Sequence, residues 1–423
     1  MAHATTWQMR KQRIALKQHG MSTTQSAQQL GVSRSWVKKF WWRFRQHGQA
    51  GLQPQSCRPK TPAPQQTPSV VRQRIVQIKR AHPHWGAQFI QGELRRQHLG
   101  PIPHRRTIAR FLSQFPDLPK RRYHRHVAQP DPARATRLPQ LWQMDCKLNS
   151  RFPASPHHGS FLNIRDMASP LAIETYTLPA GRSALTSQEV LAVCRRAFTQ
   201  WGVLPEAIRT DHGACFGAPE VDSFPTDFTL YLGGLGIAHE LIPVRRPAHN
   251  GGIERDQRTL SENFLADYTF QNHSRLAREA QAFGQFRNHF VPSRSVRCQG
   301  QTPVAVAQQR VCHAVAYHPR REATLFDLQR IDAPLAPLRW QRTVSRAGSV
   351  TLGHHKDYVG RAYRHHVVQL RFEPMTLEVV VSTAQQEAVK RWPIRGLTYH
   401  DIAQAPHLER KPNSHAWSHK KAA

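Results

Sequence analysis

The chain has 423 residues, and its 60 Lys and Arg against 27 Asp and Glu give a formal net charge of +33. This length exceeds what one ordinary hydrophobic core holds, so two or more domains are expected. The sequence has no apolar run of about 18 residues and no signal-peptide core, so we expect a protein that stays inside the cell, without a membrane. The six cysteines form no Cys-x-x-Cys pair, which favours reduced thiols over a zinc finger.

The positive charge is concentrated in the first third of the chain. Residues 1–138 contain 26 Lys and Arg but only three acidic residues, Glu93, Asp117 and Asp131. A polycation of this kind releases counterions when it binds phosphates, so nucleic acid is the expected partner. The alternative is a solvated charged face, but such a face normally carries both signs.

The first segment, residues 1–52, contains the pattern of a DNA-binding motif. Residues 23–47 predict two short helices that meet at Gly31, with Ser33 as the N-cap of the second helix. This pattern resembles a helix-turn-helix. Four basic side chains of the second helix would face the phosphates or base edges of a major groove: Arg34, Lys38, Lys39 and Arg43. An ordinary helical hairpin with a basic rim is the alternative.

A second helical module is predicted over residues 70–115. A Pro-rich linker over residues 53–69 separates it from the first, and a basic linker over residues 116–140 follows it. Three helical segments within the module resemble another helix-turn-helix. Its basic positions suit contacts with a DNA backbone: Arg95, Arg96, Arg105, Arg106 and Arg110. Two linked modules would read a longer DNA site than one.

From Leu141 onward acidic residues appear, and the pattern predicts an α/β domain over residues 141–310. Three short strands are followed by alternating helices and strands, an order that fits a mixed sheet. Three carboxylates lie at strand ends or at the start of a helix: Asp145, Asp211 and Glu254. Acids from different elements can converge on divalent cations, because Mg²⁺ and Mn²⁺ require hard oxygen ligands.

The segments LWQMDC, RTDHGACF and RPAHNGGIER around these acids resemble the three acidic motifs of the DDE transposase and integrase superfamily. Downstream, GQTPVAVAQ resembles the Thr-Pro segment that follows the core in insertion-sequence transposases. The resemblance covers roughly residues 20–400. It implies an RNase H-like core in which Asp145, Asp211 and Glu254 are the catalytic residues and the ligands of two Mg²⁺ ions, with Mn²⁺ as a possible substitute.

The resemblance also implies a function in transposition. A protein of this kind would bind the ends of a mobile element as double-stranded DNA, cleave them, and transfer them into target DNA. It would assemble as a homo-oligomer on DNA and be cytoplasmic and DNA-associated. Three departures from the superfamily pattern leave the subfamily open: His212, Pro170 and a long stretch between Asp211 and Glu254.

Other interpretations remain open for the function and for each acid. The chain could be a sequence-specific DNA-binding regulator that keeps the fold but does not cut, or a nuclease acting on RNA–DNA hybrids. Glu254 could form a surface ion pair with Arg258, and Asp211 could only shape a turn before Gly213. Asp145 could be a polar residue at a strand end. Asp256 is a rival ligand, but it lies two residues after Glu254 and should therefore face away from it. Asp166 is interpreted as structural.

The C-terminal region, residues 335–400, predicts short alternating strands that form a small β-barrel. It resembles the SH3-like domain that many of these recombinases place on DNA. A packing or oligomerisation module is the alternative. Its basic positions are Arg361, Arg364, His365, His366 and Arg371. The tail over residues 404–423 is expected to be flexible. The predicted fold class is therefore multidomain, with N-terminal all-α helix-turn-helix modules, a central α/β core with a mixed sheet, and a C-terminal β-barrel.

Overall fold

The computed structural model forms two compact units, Met1–Gln66 and Thr67–Ala423. The predicted Pro-rich linker, the basic linker and the tail lie largely outside the described residues. No described helix is long and apolar enough to cross a bilayer. The structure describes the following ranges: 7–54, 67–119, 135–152, 155–179, 181–182, 184–217, 223–243, 247–267, 269, 272–295, 297–309, 314–353 and 355–404.

The first unit is a three-helix module that contains the predicted helix-turn-helix. Its helices are α1 (Trp7–Gln18), α2 (Thr23–Leu30) and α3 (Arg34–His47). Gly31 ends α2 in the left-handed conformation with φ 63°, which glycine adopts without strain. The Ser33 hydroxyl then accepts the backbone N–H of Trp36 and starts α3. Both the turn and the N-cap are as the sequence predicts.

The second helical module is packed on the rest of its unit. It consists of α4 (Ser69–Ala81), α5 (Ala87–Arg96) and α6 (Arg105–Leu112). The buried Trp85 donates its indole N–H to the Asn263 carbonyl at 2.7 Å and stacks on Phe286 with ring centroids 5.5 Å apart. The module therefore shares a hydrophobic cluster with the segment that follows the third acidic motif.

A five-stranded mixed sheet lies at the centre of the second unit. Its strand order is β3-β2-β1-β5-β6, with antiparallel pairing among the first three and parallel pairing among the last three. The mixed sheet flanked by helices confirms the predicted core. The strands of this region are β1 (Leu141–Phe152), β2 (Ser155–Asp166), β3 (Ala172–Thr177), β4 (Val203–Leu204), β5 (Ala207–Thr210) and β6 (Ala238–Leu241).

Helices cover this sheet because each presents an apolar face to it. On α7 that face includes Val190, Cys194 and Phe198, all fully buried. A π-helical segment, Ser261–Leu265, continues α9. The helices of this region are α7 (Ser187–Trp201), α8 (Asp227–Gly234), α9 (Gly251–Leu260), α10 (His273–Phe290) and α11 (Pro303–Gln309).

The region after α11 is built mainly from antiparallel strands. Strand β7 (Val315–Ala316) returns to pair with β4, and three short helices follow or end the region: α12 (Glu322–Leu325), α13 (Gln329–Leu335) and α14 (Tyr399–Ile402). The remaining strands are β8 (Arg339–Thr343), β9 (Ser349–Leu352), β10 (His355–Tyr358), β11 (Val367–Glu373), β12 (Glu378–Ser382) and β13 (Ala388–Pro393).

These strands form two sheets rather than one closed barrel. Strands β13-β12-β11-β8 make a four-stranded sheet, and β9 pairs with β10 alone. Side chains alternate along β11, where Val368, Leu370 and Phe372 are buried. The predicted all-β character is confirmed, but barrel closure is not seen among the described residues. The sequence pattern fixes alternation within each strand, whereas closure depends on pairing between distant strands.

Candidate active site

Two of the three predicted acids are positioned by neighbouring parallel strands, Asp145 within β1 and Asp211 directly after β5. Strands β1 and β5 are in register with Gln143 opposite Arg209. Asp145 lies two residues after Gln143, and Asp211 lies two residues after Arg209. Because neighbouring strands lie about 4.8 Å apart, this register brings the two carboxylates to the same level of the sheet.

The start of α9 brings the third acid to the same region of the sheet as Asp145 and Asp211. Glu254 lies in the first turn of α9 and is exposed. Gly252 allows the close approach, since a Cβ atom there would lie 2.7 Å from the Met167 Cε atom and 3.0 Å from the Gln143 Oε1 atom. At Gly251, by contrast, an added Cβ would meet nothing within 4 Å.

Polar side chains from α9 and from its cap fix the Asp145 carboxylate. Gln257 donates its amide to the Asp145 Oδ2 atom at 2.9 Å, and Asn250 donates to the same oxygen at 3.4 Å. Gln143 in turn donates to Asn250 at 2.9 Å. Sequence reasoning missed Gln257 as a site residue, although its place three residues after Glu254 puts it on the same helix face.

The carboxylates repel one another in a buried setting. Burial raises the pKa of Asp145 to about 6, and the negative charges of Asp211 and then Glu254 add to that rise, against hydrogen bonds that include the one from Asn250. Asp145 is only 8% exposed. A cation between these groups would relieve the repulsion and favour the ionised carboxylate.

The three acidic side chains are of a type that binds divalent cations, although in this conformation they do not form a complete coordination site. Among the described residues, no three His, Cys, Asp or Glu side chains come close enough to hold a metal ion together in this conformation. The three acids nevertheless offer only carboxylate oxygens, which are the donors that Mg²⁺ and Mn²⁺ prefer. The residues therefore fit such ions, with Asp145 already oriented by Gln257.

The structure separates these acids from their neighbours. Asp256 faces away from Glu254 and is buried between Arg165 and Arg287, at 2.9 and 3.0 Å. Asp166 accepts three hydrogen bonds from residues 168 and 169, at 2.7 to 2.9 Å. These contacts fit the predicted orientation of Asp256 away from Glu254 and the structural role interpreted for Asp166. No ion pair joins Glu254 to Arg258, although both residues lie within the described ranges.

Asp211 both shapes a turn and faces the site. Its Oδ1 atom accepts the backbone N–H of Gly213 at 2.9 Å, as an Asx turn requires. Nearby, a hydrogen bond joins the thiols of Cys146 and Cys215; it lowers the pKa of Cys215 and, with burial, raises that of Cys146. No local sequence pattern indicates this thiol pair, because Cys146 lies within β1 and Cys215 lies in the turn that follows β5.

The basic side chains predicted to bind DNA through α3 differ in exposure. Arg34, Lys38 and Lys39 are exposed, whereas Arg43 is half-buried with its guanidinium 5.5 Å from the centre of the Phe40 ring. Trp42 is 62% exposed. It follows Lys38 by four residues on the same face of α3, so we add it to the surface available to DNA.

The five basic residues predicted for the second module divide into two sets. Arg95 donates to the Phe290 carbonyl at 3.4 Å, and Arg96 forms a bidentate pair with Glu93 at 2.7 and 2.9 Å, so both contribute to packing. On α6, Arg106 and Arg110 are exposed and Arg105 is half-buried.

In the C-terminal region, four of the five predicted basic residues are exposed. These are Arg361, Arg364, His365 and His366. The fifth, Arg371, is half-buried and forms an ion pair with Glu373 at 3.2 Å.

Comparisons with known proteins identify the helical part most clearly. Residues 34–112 match the family model of a homeodomain-like domain. This stretch runs from α3, the second helix of the first predicted helix-turn-helix, through α4, α5 and α6 of the second module. No curated protein matches this sequence.

Several solved structures are similar to the chain in part of their architecture. One is a chain of the simian T-cell lymphotropic virus intasome in complex with PP2A regulatory subunit B56 gamma, at 14% identity and TM-score 0.35, covering 74% of this chain and 94% of that chain. Another is the catalytic core domain of BIV integrase, at 18% identity and TM-score 0.27, covering 40% and 94%.

A third is the pre-cleavage Mos1 transpososome, at 9% identity and TM-score 0.26, covering 74% of this chain and 99% of that chain. With TM-scores below 0.5, these likenesses leave the function to be inferred from the site. The homeodomain-like match and the mixed sheet flanked by helices agree with the resemblance to the DDE transposase and integrase superfamily that the three acidic motifs indicate.

Proposed function

We propose that the chain is a DDE-type recombinase that cleaves DNA at the ends of a mobile element and joins those ends to target DNA. One observation carries the proposal. Asp145 is buried, and this burial, together with the negative charges of Asp211 and Glu254, raises its pKa to about 6. Three acids, from β1, from the residue after β5 and from α9, thus share one region, and among the described residues the structure records no ion pair that neutralises them, as expected of metal ligands.

The chain's own residues would position the reacting groups. Gln257 and Asn250 hold the Asp145 carboxylate in place, and the turn at Gly213 holds one oxygen of Asp211. Asp145, Asp211 and Glu254 would hold two Mg²⁺ ions, or Mn²⁺ in their place. Bound there, such ions supply the positive charge that activates an attacking oxygen and stabilises a leaving oxygen at a phosphodiester.

The proposed reaction has two transfers at phosphorus. Water attacks one phosphodiester, the P–O3′ bond breaks, and the element ends in a free 3′-hydroxyl. That hydroxyl then attacks a target phosphodiester, so its oxygen becomes bonded to the target phosphorus while the target's own 3′ oxygen leaves as a hydroxyl. Both transfers proceed without a covalent bond to the protein.

The helical modules would bind the element ends. The support is the homeodomain-like match over residues 34–112 together with the exposed Arg34, Lys38 and Lys39 of α3. Because joining two DNA ends to one target needs two sites, we propose a homo-oligomer on DNA. We also propose that the exposed basic residues of the C-terminal region contact DNA.

The first test is strand transfer of a 3′-hydroxyl DNA end into plasmid with Mg²⁺. The donor ends come from the DNA that flanks the coding sequence in its source genome. Wild type is compared with Asp211→Asn, Glu254→Gln and the control Glu387→Gln, a substitution at an exposed acid in the β12–β13 turn. We expect joining by wild type and the control, and loss of at least a hundredfold in the other two.

Direct metal binding checks the assignment without any DNA. Mn²⁺ titration followed by electron paramagnetic resonance should show weaker binding by Glu254→Gln than by Glu387→Gln. Full-rate joining by Asp211→Asn would contradict the catalytic assignment. Tight DNA binding with neither joining nor Mn²⁺ binding by wild type would favour the DNA-binding regulator instead.

A further inference from the structure

A deep cleft of about 710 Å³ lies beside the acidic site within residues 67–423. Its walls are the start of α5, the start of α6, α9 and the end of α10. The cleft is therefore bounded on one side by the second helical module and on the other by the catalytic core. Six arginines line it: Arg105, Arg106, Arg165, Arg255, Arg287 and Arg294.

The positive charge of the arginines in this cleft exceeds the negative charge of its lining. Asp256 is the only acidic side chain in its lining, and it is already shared between Arg165 and Arg287. Within the described part of the chain, the structure records no carboxylate partner for the other four arginines. Six guanidinium groups therefore face one carboxylate, and the cleft attracts anions strongly.

Part of this charge is held where water is excluded. Arg165 is only 8% exposed, and its Nε atom has no hydrogen-bond partner among the described residues. Its guanidinium donates to Asp256 and to the Gly252 carbonyl. Burial lowers its pKa, which shows that the positive charge there is kept at a cost in free energy. An anion in the cleft would offset this cost.

The start of α5 adds a second, independent attraction for anions. Gly86 is the N-cap of this 10-residue helix and has no side chain to accept hydrogen bonds from the first turn. Gly86, Ala87 and Gln88 all line the cleft. The positive end of the helix dipole and the uncapped amides therefore face the same space as the arginines.

Helix α9 joins the cleft to the acidic site. Glu254 and Gln257 lie on the face of α9 turned to Asp145, whereas Arg255, Asp256 and Thr259 line the cleft. A single helix thus presents Glu254 to the acidic site and Arg255 to the cleft. Anything held in the cleft lies within about one helical turn of the proposed metal ligands.

We propose that this basic cleft binds the sugar-phosphate backbone of duplex DNA on its way from α6 to the acidic site. A polyanion fits better than a small anion, because the arginines are spread over four elements and each DNA strand carries a phosphate about every 3.4 Å of helix axis. The inference rests on the proposed function, since it takes the substrate to be DNA, and it adds Arg255 and Arg294 as contacts.

The test measures duplex binding in EDTA, so that no cleavage is needed. The double variant Arg255→Gln/Arg294→Gln changes two exposed residues and should fold normally. The matched control, Arg278→Gln/Arg320→Gln, removes the same charge from exposed positions that do not line the cleft. Fluorescence anisotropy is recorded for each protein between 50 and 200 mM salt.

Loss of two phosphate contacts should reduce the slope of log affinity against log salt by about 1.8. Over this fourfold range of salt, the affinity of the cleft variant should then fall about twelvefold less than that of wild type. The control should keep the wild-type slope. DNA should also protect Arg255 and Arg294, but not Arg278 and Arg320, from modification by phenylglyoxal.

The outcomes separate this inference from the proposed function. Equal slopes for the cleft variant and wild type, or equal reductions in the cleft variant and the control, would overturn the cleft as a DNA site. Absence of duplex binding by wild type would overturn it as well. A reduced slope in the cleft variant alone supports it even if wild type fails to join DNA with Mg²⁺, a failure that would count against the recombinase only.

Discussion

Gly252 is the residue at which α9 comes closest to the sheet, and its lack of a side chain sets the position of Glu254. The Met167 and Gln143 side chains fill the space that a Cβ atom would need. The Gln143 amide cannot move freely, since it also donates to the His249 carbonyl at 2.8 Å. The geometry of the acidic site thus depends on Gly252, a residue that has no functional group of its own.

We expect Gly252→Ala to lower the free energy of unfolding by about 1–3 kcal/mol, because the added methyl group overpacks this contact. It should also reduce strand transfer by displacing Glu254. Gly251→Ala is the matched control, since a Cβ there meets nothing within 4 Å. Denaturant titration of both variants checks the expectation. Equal stability of the two would contradict it.

Gln257 is expected to act as a positioning residue for Asp145, the proposed metal ligand. Gln257→Leu keeps the approximate size but removes the amide that donates to Asp145 at 2.9 Å. Loss of such an outer hydrogen bond typically weakens metal binding about 10- to 100-fold. Mn²⁺ titration measures the change, while circular dichroism reports whether α9 is retained. Unchanged Mn²⁺ affinity would exclude this role.

Several elements of the second unit meet at one buried carboxylate, Glu322. Arg195 of α7 forms a bidentate pair with it at 2.6 and 2.8 Å, and Tyr399 of α14 donates to it at 3.1 Å. Tyr317 also donates to this carboxylate. Glu322 is only 2% exposed. The contacts therefore tie the C-terminal α14 and the α12 segment to a helix of the catalytic core.

We expect Glu322→Gln to lower the free energy of unfolding at neutral pH by about 3–5 kcal/mol, since Arg195 would keep a charge without its partner. The control is Glu206→Gln, because Glu206 pairs with Arg137 at 2.7 Å where both side chains are nearly half exposed. Surface pairs of this kind contribute about 0–1 kcal/mol. Urea titration of both variants distinguishes the two cases.

The effect of Glu322→Gln should also depend on pH. Burial alone would raise the pKa of Glu322, but hydrogen bonds from Arg195 and Tyr317 bring it below its ordinary value of 4.5. A lowered pKa contributes stability that is fully present above pH 4.5 and is lost as the pH falls through the folded-state value. The difference between wild type and the variant should therefore shrink in acid. A constant difference from pH 7 to pH 3 would contradict this origin.

Much of the order of elements could be predicted from the sequence, whereas contacts between distant elements could not. Local periodicity and caps such as Gly31 and Ser33 indicate helices and strands, because they act within a few residues. The three acids could also be predicted locally, because a short sequence motif surrounds each of them. The contacts of Glu322 and the joining of the cleft's arginines depend on side chains brought together from far along the chain, which no local pattern marks, whereas the spacing of Gln257 from Glu254 was a local signal that the sequence reasoning missed.

At the scale of the whole molecule, we infer that the second helical module and the core around the mixed sheet unfold together in one cooperative step. The two share stacked aromatic rings: Phe89 lies 6.0 Å from Phe283 between ring centroids, and Trp85 lies 5.5 Å from Phe286. Trp85 is fully buried. A DNA-binding module fixed in this way cannot move independently of the acids.

We expect Trp85→Ala to destabilise the second unit by about 3–5 kcal/mol, because it removes a large buried side chain and leaves a cavity. It should also release the module, so that limited proteolysis cuts between α6 and β1 more readily than in wild type. Trp42→Ala is the control, since Trp42 is 62% exposed on α3. An unchanged proteolysis pattern in Trp85→Ala would argue against the shared core.

Because helix α9 contributes residues to both the cleft and the acidic site, it sets the distance between them. Glu254 and Arg255 are consecutive residues of one helix, so the helix backbone fixes the separation between this acid and the arginine of the neighbouring cleft. A strand held by Arg255 would present its bond to the acids at a fixed number of nucleotides from the held phosphate. Cutting would then be positioned by length along the backbone, and the bases at the cut itself would need no recognition.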